Sequence, residues 1–251
     1  MKILKHTGNY LESKVKLNRD MSILLLLIGL GGLGYSVLSA NYISAKFSLM
    51  YLFIICLIVG SFFLKNYTNY KNGLSAEKLV SESLQNLNDD YFIINDIKLR
   101  GNQGNIDQIV LGPNGIFVIE TKNYSGKIQC NGDEWRRHYE GGLKISMTGR
   151  PYWVPDRDYD AGSPSKQVKK GAVNIKQIIE SSKISKKPLK IWVEGIVVFT
   201  NPHVHLQLSN TTVTILKVDK LCPYIKSKKS GINFSLQELE SIGKLILNEQ
   251  M

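Results

Sequence analysis

The chain has 251 residues, with 32 Lys and Arg against 21 Asp and Glu, a net charge of +11. Its three cysteines lie far apart, which excludes a disulfide framework and a metal–thiolate motif and agrees with a reducing cytoplasm. No repeat or low-complexity tract is present, and the residues beyond the apolar start amount to one ordinary domain.

Residues 1–20 form a basic leader. Two charge-free apolar runs follow within residues 21–64, at 22–40 and 47–64. A helix crosses a bilayer with roughly 17–25 mostly apolar residues, so both runs are long enough. Only residues 41–46 join them, which predicts a tight helical hairpin. Lys2, Lys5, Lys14, Lys16 and Arg19 precede the pair, and Lys65, Lys71 and Lys78 follow it. Lys46 stands alone between. That asymmetry predicts a multi-pass protein of the cell membrane, with the N-terminus and the following domain cytoplasmic and two helices in lipid. Gly29, Gly31, Gly32 and Gly34 permit close helix approach, and homo-oligomer formation is one use of it. A cleaved signal peptide is a competing reading, given the basic start and the small residues Ser39 and Ala40. The long leader and the immediate second run weigh against it. Runs of this length without a charge also weigh against a hairpin buried in a soluble protein.

Residues 65–72 read as a linker. From residue 65 onward the net charge is +7. Such a domain attracts nucleic acid through counterion release or anionic headgroups, and charge does not separate the two. The lysines at 183, 186, 187 and 190, and at 226, 228 and 229, read as solvated loops. Leu74 to Leu87 reads as a helix with Val80, Leu84 and Leu87 on one stripe. A strand over 91–99 and a glycine-punctuated turn over 100–105 follow. Strands 106–111 and 116–122 flank the turn Gly112–Gly115. Strands 127–130 and 134–139 form a second hairpin across Asn131-Gly132. Residues 140–163 read as irregular. A helix over 164–180 turns Val168, Gly171, Ala172, Ile175, Ile178 and Ile179 inward. The apolar run 191–199 reads as a central strand covered on both faces. A strand over 211–218 and a helix over 235–247 close the chain. The fold class is α/β, a mixed sheet flanked by helices and preceded by a two-helix transmembrane hairpin.

The first hairpin carries the chemistry. If Leu111 faces Ile116, Asp107 falls opposite Glu120. Directly opposed like charges destabilise a sheet. A divalent cation between them removes that cost, and oxygen-only ligation with room for water suits magnesium, or manganese as an alternative. Lys122 is two residues past Glu120 and shares its face. There it can stabilise developing phosphorane charge or position the attacking water, while a metal lowers the water's pKa. Glu77 lies on the stripe of Val80, Leu84 and Leu87, where it can add a metal ligand or bind a metal water. Gln167, one turn into the second helix, can orient a water or contact phosphate. Simpler readings stand beside these. Glu120 and Lys122 in isolation make an ion pair, Glu77 answers the helix dipole, and Gln167 is solvated. Convergence of all five favours a site.

Asp107, a hairpin and then Glu120-Thr121-Lys122 resemble the D…(D/E)-x-K signature of the restriction-endonuclease-like nuclease superfamily. More narrowly, GNIDQIVLGPNGIFVIETKNYSGKI resembles the nuclease-related domain family, NERD. The helix bearing Glu77 and the Ser-Pro-x-x-Gln at 163–167 fit that family too. The resemblance covers about residues 73–200, with 201–251 read as a strand and helix completing the domain. It implies a mixed sheet flanked by helices, magnesium as cofactor and DNA as substrate, with RNA as the alternative. Carried onto this chain, it makes Asp107 and Glu120 metal ligands, adds the Thr121 backbone carbonyl, makes Lys122 catalytic and lets Glu77 assist. Gln167 sits where the family has a glutamine after Asn-Pro, and Ser163 replaces that Asn. The literal Pro155-Asp156 pair has no E-x-K strand behind it and reads as a decoy. The expected function is a membrane-anchored, metal-dependent nuclease hydrolysing cytoplasmic DNA, with defence against foreign DNA as a role. The alternatives are a tethered, non-catalytic nucleic-acid-binding or scaffold module, and a lipid-associated protein whose basic face meets headgroups.

Overall fold

The computed structural model describes residues 1–5, 9–38, 44–100, 104–146, 149–182, 192–229, 231 and 233–250. The lysines at 183–190, the first residue of the expected strand 191–199, and residues 41–43 and 101–103 of the turns at 41–46 and 100–105 lie outside the described residues. The chain divides into two compact units: Gly8–Ser75, and Met1–Thr7 together with Ala76–Met251.

The first unit holds helix α1 (Asn9–Leu38) and most of helix α2 (Ser44–Leu84). Both are long and apolar enough to cross a membrane. A Cβ on Gly29 would press on Leu57, one on Gly32 would strike the Phe53 ring, and one on Gly60 would lie 3.1 Å from Leu26. Small residues thus let the two helices pack closely within the chain. Gly31 and Gly34 face open space. The stretch read as a linker, 65–72, lies inside α2 and is helical. It contains no proline, so nothing there forces the helix to stop.

The second unit is a layered α/β body. Its main sheet has six strands in the order β1 (Lys2–Lys5), β2 (Phe92–Ile97), β3 (Ile106–Gly112), β4 (Gly115–Lys122), β10 (Val193–Phe199) and β12 (Thr214–Lys217). β2, β3 and β4 pair antiparallel, while β1, β10 and β12 join in parallel. The sheet is therefore mixed, as expected. Helices α3 (Pro164–Ser181) and α5 (Leu236–Asn248) cover one face, where Val168, Ile175, Leu239 and Ile242 meet Ile109, Leu111, Val118 and Val197. The end of α2 and α4 (Val218–Ser227) cover the other, where Val80, Leu84, Leu221 and Ile225 meet Val110, Phe117, Ile119 and Val198. Burial on both faces explains the unbroken apolar runs of β4 and β10.

A second sheet runs β11 (Val204–Ser209), β5 (Gly126–Asn131), β6 (Glu134–Tyr139) and β9 (Arg157–Asp160). A separate ribbon pairs β7 (Gly142–Ile145) with β8 (Pro151–Val154). The stretch 140–163, read as irregular, thus contributes three strands. Strand β1 arises within the basic leader, and β11 and α4 within the segment where only one strand and one helix were expected.

The turn between β3 and β4 is built for its place. A Cβ on Gly112 would run into the Tyr91 ring, and Gly115 has φ 149°. Asn114 donates to the carbonyls of Ile225 (2.5 Å) and Lys228 (3.1 Å), and its Oδ1 accepts from Tyr91 Oη (3.1 Å). The far end of the same hairpin is then free to carry polar chemistry.

Candidate functional site

Leu111 pairs with Ile116, Val110 with Phe117, Ile109 with Val118 and Gln108 with Ile119. Ile109, Leu111, Ile116 and Val118 belong to the core under α3 and α5. Side chains alternate along a strand, so Glu120 and Lys122 share that face, whereas Ile106 packs in the same core as Ile109 and alternation does not carry past Gln108 to Asp107. Gln108 and Thr121 point to the other, where Thr121 Oγ1 donates to Gln108 Oε1 at 3.0 Å.

The ladder stops at Gln108 and Ile119, one step short of Asp107 and Glu120. There the Thr121 N–H donates to Asp107 Oδ2 at 2.7 Å. β3 stays paired with β2 as far as Ile106, opposite Ile97. β4 keeps its partner β10 through Lys122, and only the ladder between β3 and β4 ends early.

Glu120 is 8% exposed, and its Oε1 accepts from Lys122 Nζ at 2.6 Å. Burial pushes Asp107 well above the usual carboxylate range, and Glu120 and Glu77 push it further. Burial also raises Glu120, with Lys122 pulling the other way. For Lys122, burial works against the charge, but Glu120 outweighs it, with smaller help from Tyr124 and Asp107, and the ammonium is held more firmly than usual.

Glu77 lies in α2 beyond the apolar stretch 47–64. Burial, then the charges of Asp96 and Glu120, lift it to about 8. Its backbone carbonyl is 3.5 Å from Gln108 Nε2. Glu77 therefore belongs to the same electrostatic cluster, although α2 covers the opposite face of the sheet. No group of three or more His, Cys, Asp or Glu arranged to hold a metal occurs among the described residues. Glu77 does not complete a three-carboxylate cage with Asp107 and Glu120.

Gln167 and Glu120 line one cavity of about 330 Å³, together with Lys166, Lys170 and residues 104–106. Gly171 explains how α3 comes so near: a Cβ there would lie 3.1 Å from Val118 and 3.3 Å from Ile106. The start of α3 is pinned from three sides. Ser163 Oγ accepts from the Lys166 N–H (3.3 Å) and donates to the Asp133 carbonyl (2.8 Å). Trp135 Nε1 donates to Ser165 Oγ (3.0 Å), and Lys169 pairs with Asp133 (2.5 Å). Ser163 thus performs the capping that an Asn would also perform. Asp156, from the decoy pair, accepts from the Gly141 N–H at 2.8 Å and holds the root of the β7–β8 ribbon.

Two features were not read from the sequence. Lys166 and Lys170 share the cavity with Glu120; their four-residue spacing around Gln167 was the available signal. Asp96, 7% exposed, sits between the paired positions Asn95 and Ile97, level with Asp107 on the next strand. Its φ of 48° is a left-handed conformation that Asp tolerates. Asn95-Asp96 interrupting an otherwise apolar strand was the sign of it.

A family model described as "Nuclease-related domain" matches residues 72–200. An uncharacterized protein of Bacillus anthracis is 38% identical over 60 residues, which are 22% of this chain and 28% of that protein. No solved structure matches the chain.

Proposed function

Because this chain belongs to the NERD family of nuclease-related domains, we propose that it is a membrane-anchored, magnesium-dependent nuclease that hydrolyses phosphodiester bonds of DNA, with RNA as the alternative substrate. The observation that carries the reading is the opened end of the β3–β4 hairpin. Asp107 reaches the Thr121 N–H next to Glu120, a lysine is fixed against Glu120, and a cavity lined by Glu120 opens alongside.

The donor set fits the cation. Asp107 spends Oδ2 on the Thr121 N–H and Glu120 spends Oε1 on Lys122, so each keeps a second oxygen for a metal. Two carboxylate oxygens suit magnesium or manganese, which keep waters and take phosphate oxygens. The Thr121 carbonyl is a third oxygen at the same level. When bound, the cation supplies charge neutralisation at the phosphate and a water of lowered pKa. Lys122, held protonated by Glu120, places a positive charge where the phosphorane gains negative charge. Glu77 adds negative potential to the cluster and can hold a proton or a water. Gln167 with Lys166 and Lys170 forms the opposite wall, a surface for substrate phosphates.

Membrane anchoring rests on α1 and α2, each apolar and long enough to cross. Strand β1 precedes α1 yet pairs with β2 in the same unit as the rest of the domain. A helical pair that begins and ends in one folded body crosses a bilayer an even number of times. Excess Lys and Arg at those ends puts that body in the cytoplasm, and foreign DNA entering there is the target we assign.

The closed Lys122–Glu120 ion pair favours one other reading, a module that grips nucleic acid without cutting it. A plasmid-nicking assay with magnesium separates them. Wild type should nick, while Glu120→Gln and Lys122→Ala should each lose at least about a hundredfold, the scale of one lost transition-state contact. Equal, metal-independent DNA retention by all three proteins, without nicking, would establish the binder.

A further inference from the structure

We propose that Arg137 is a substrate contact: its guanidinium grips a phosphate of the nucleic-acid strand beside the one held at Asp107 and Glu120. The inference rests on the nuclease reading and names a second point at which that site holds its substrate. Arg137 lies in β6 directly opposite Ile128 of β5, two residues past the buried Trp135. Ile128 and Trp135 belong to one core, so alternation turns Arg137 to the face they share. A line of packed groups leads from there to the candidate site. Lys122 pairs with Phe199, whose ring meets the Tyr124 ring edge-on at 6.3 Å between centres. The Arg137 guanidinium carbon lies over that same Tyr124 ring, 6.0 Å from its centre.

The fork is fixed in place and lacks an anion. Arg137 Nε donates to the Ser125 carbonyl at 3.2 Å, and Nη2 donates to Ser125 Oγ at 3.1 Å. Five N–H groups belong to a guanidinium, so others stay available to a ligand. The residue is half-buried, yet among the described residues no carboxylate pairs with it. A partly desolvated cation with only neutral partners is completed by an anion. The carboxylates of β9 turn to the other face. Asp158 stands opposite His138, 2.8 Å from its Nδ1, and Asp160 stands opposite Arg136 and accepts from the Gly162 N–H at 2.8 Å. The residue opposite Arg137 is Tyr159, and Arg157 follows on the same face opposite Tyr139. Past the strand ends, Asp156 is spent on the Gly141 N–H, and Glu140 lies three residues along the chain from Arg137. A planar fork braced on a ring suits the paired oxygens of a phosphate. Continuity selects the phosphate of a nucleic acid: two ring contacts join the fork to Phe199, level with Lys122, so a strand cut there has another phosphate within reach.

The test titrates the full chain, in detergent, with a fluorescein-labelled DNA duplex. Calcium replaces magnesium, so that binding is read apart from cleavage. Arg137→Gln keeps an N–H for Ser125 and removes the charge. Arg136→Gln removes the same charge from the opposite face of β6, where Arg136 is exposed. The expected result for Arg137→Gln is about tenfold weaker binding and a salt dependence shallower by about one counterion. In the nicking assay its KM should rise with kcat nearly unchanged, while Arg136→Gln stays near wild type in both assays. Arg137→Lys keeps the charge without the fork and should restore the salt dependence. Equal affinity and equal salt dependence in Arg137→Gln and Arg136→Gln overturn the contact. So does a loss that Arg137→Lys repeats in full, the mark of a brace for the turn at Ser125. The nuclease reading fails separately. A wild type that binds through Arg137 yet never nicks removes the nuclease and keeps the contact. A wild type that nicks, with Arg137→Gln binding and nicking equally well, keeps the nuclease and removes the contact.

Discussion

Asp107, Glu120 and Glu77 form a cluster whose folded state holds protons more tightly than the unfolded chain does. The consequence for stability has a definite sign. Below the unfolded carboxyl values, near pH 4, the groups are protonated in both states and the cluster costs nothing. As pH rises past them, the unfolded chain ionises freely while the folded cluster resists, and Glu77 resists up to about 8. Stability therefore falls across that window. A bound divalent cation reverses the trend because it favours the ionised form. For metal-free protein we expect stability to fall by on the order of a few kcal/mol between about pH 5 and pH 8, and the melting temperature to fall with it. Glu77→Gln should flatten the drop, and magnesium should raise the melting temperature more at the upper end than at the lower. Thermal melts with and without chelator check this, and a metal-free melting temperature that rises across the window contradicts it.

At the scale of elements, what was legible was local. The G-P-N-G turn fixed the β3–β4 register from residue identity alone, with Leu111 facing Ile116. Helix α3 was legible because its apolar stripe repeats at helical spacing behind a capping serine and a first-turn proline. What escaped was non-local or locally contradictory. Strand β1 is four residues of KILK, defined by a partner strand 90 residues away. Strands β7 to β9 sit in a glycine-rich, charged stretch and are largely exposed, so no buried face prints a period of two on them. Helix α4 contains Pro223, which reads as a breaker although it falls within the helix. The opened end of the hairpin was equally hidden. Register predicts that Asp107 and Glu120 are level, but not that the ladder ends before them.

At the scale of the whole molecule, strand β1 ties the residues before α1 to the sheet. The leader, read as a solvated basic tail, returns strand β1 to the edge of the sheet, with Leu4 packed against the core beside Gly243. On the proposal that the helical pair crosses a membrane, both of its ends lie on one side of it. Cysteines placed at Lys2 and Lys229 should react with an impermeant maleimide from the same face of oriented vesicles. Labelling from opposite faces would contradict two crossings. The central claim is narrower than topology. It holds that one divalent ion sits between Asp107 and Glu120, and the direct measurement is a manganese titration of the full chain followed by electron paramagnetic resonance. The account predicts one bound ion per chain, with affinity reduced at least about tenfold in both Asp107→Asn and Glu120→Gln, as expected when a ligand is lost. Binding of equal strength in the wild type and both variants, or no binding in the wild type, would contradict it.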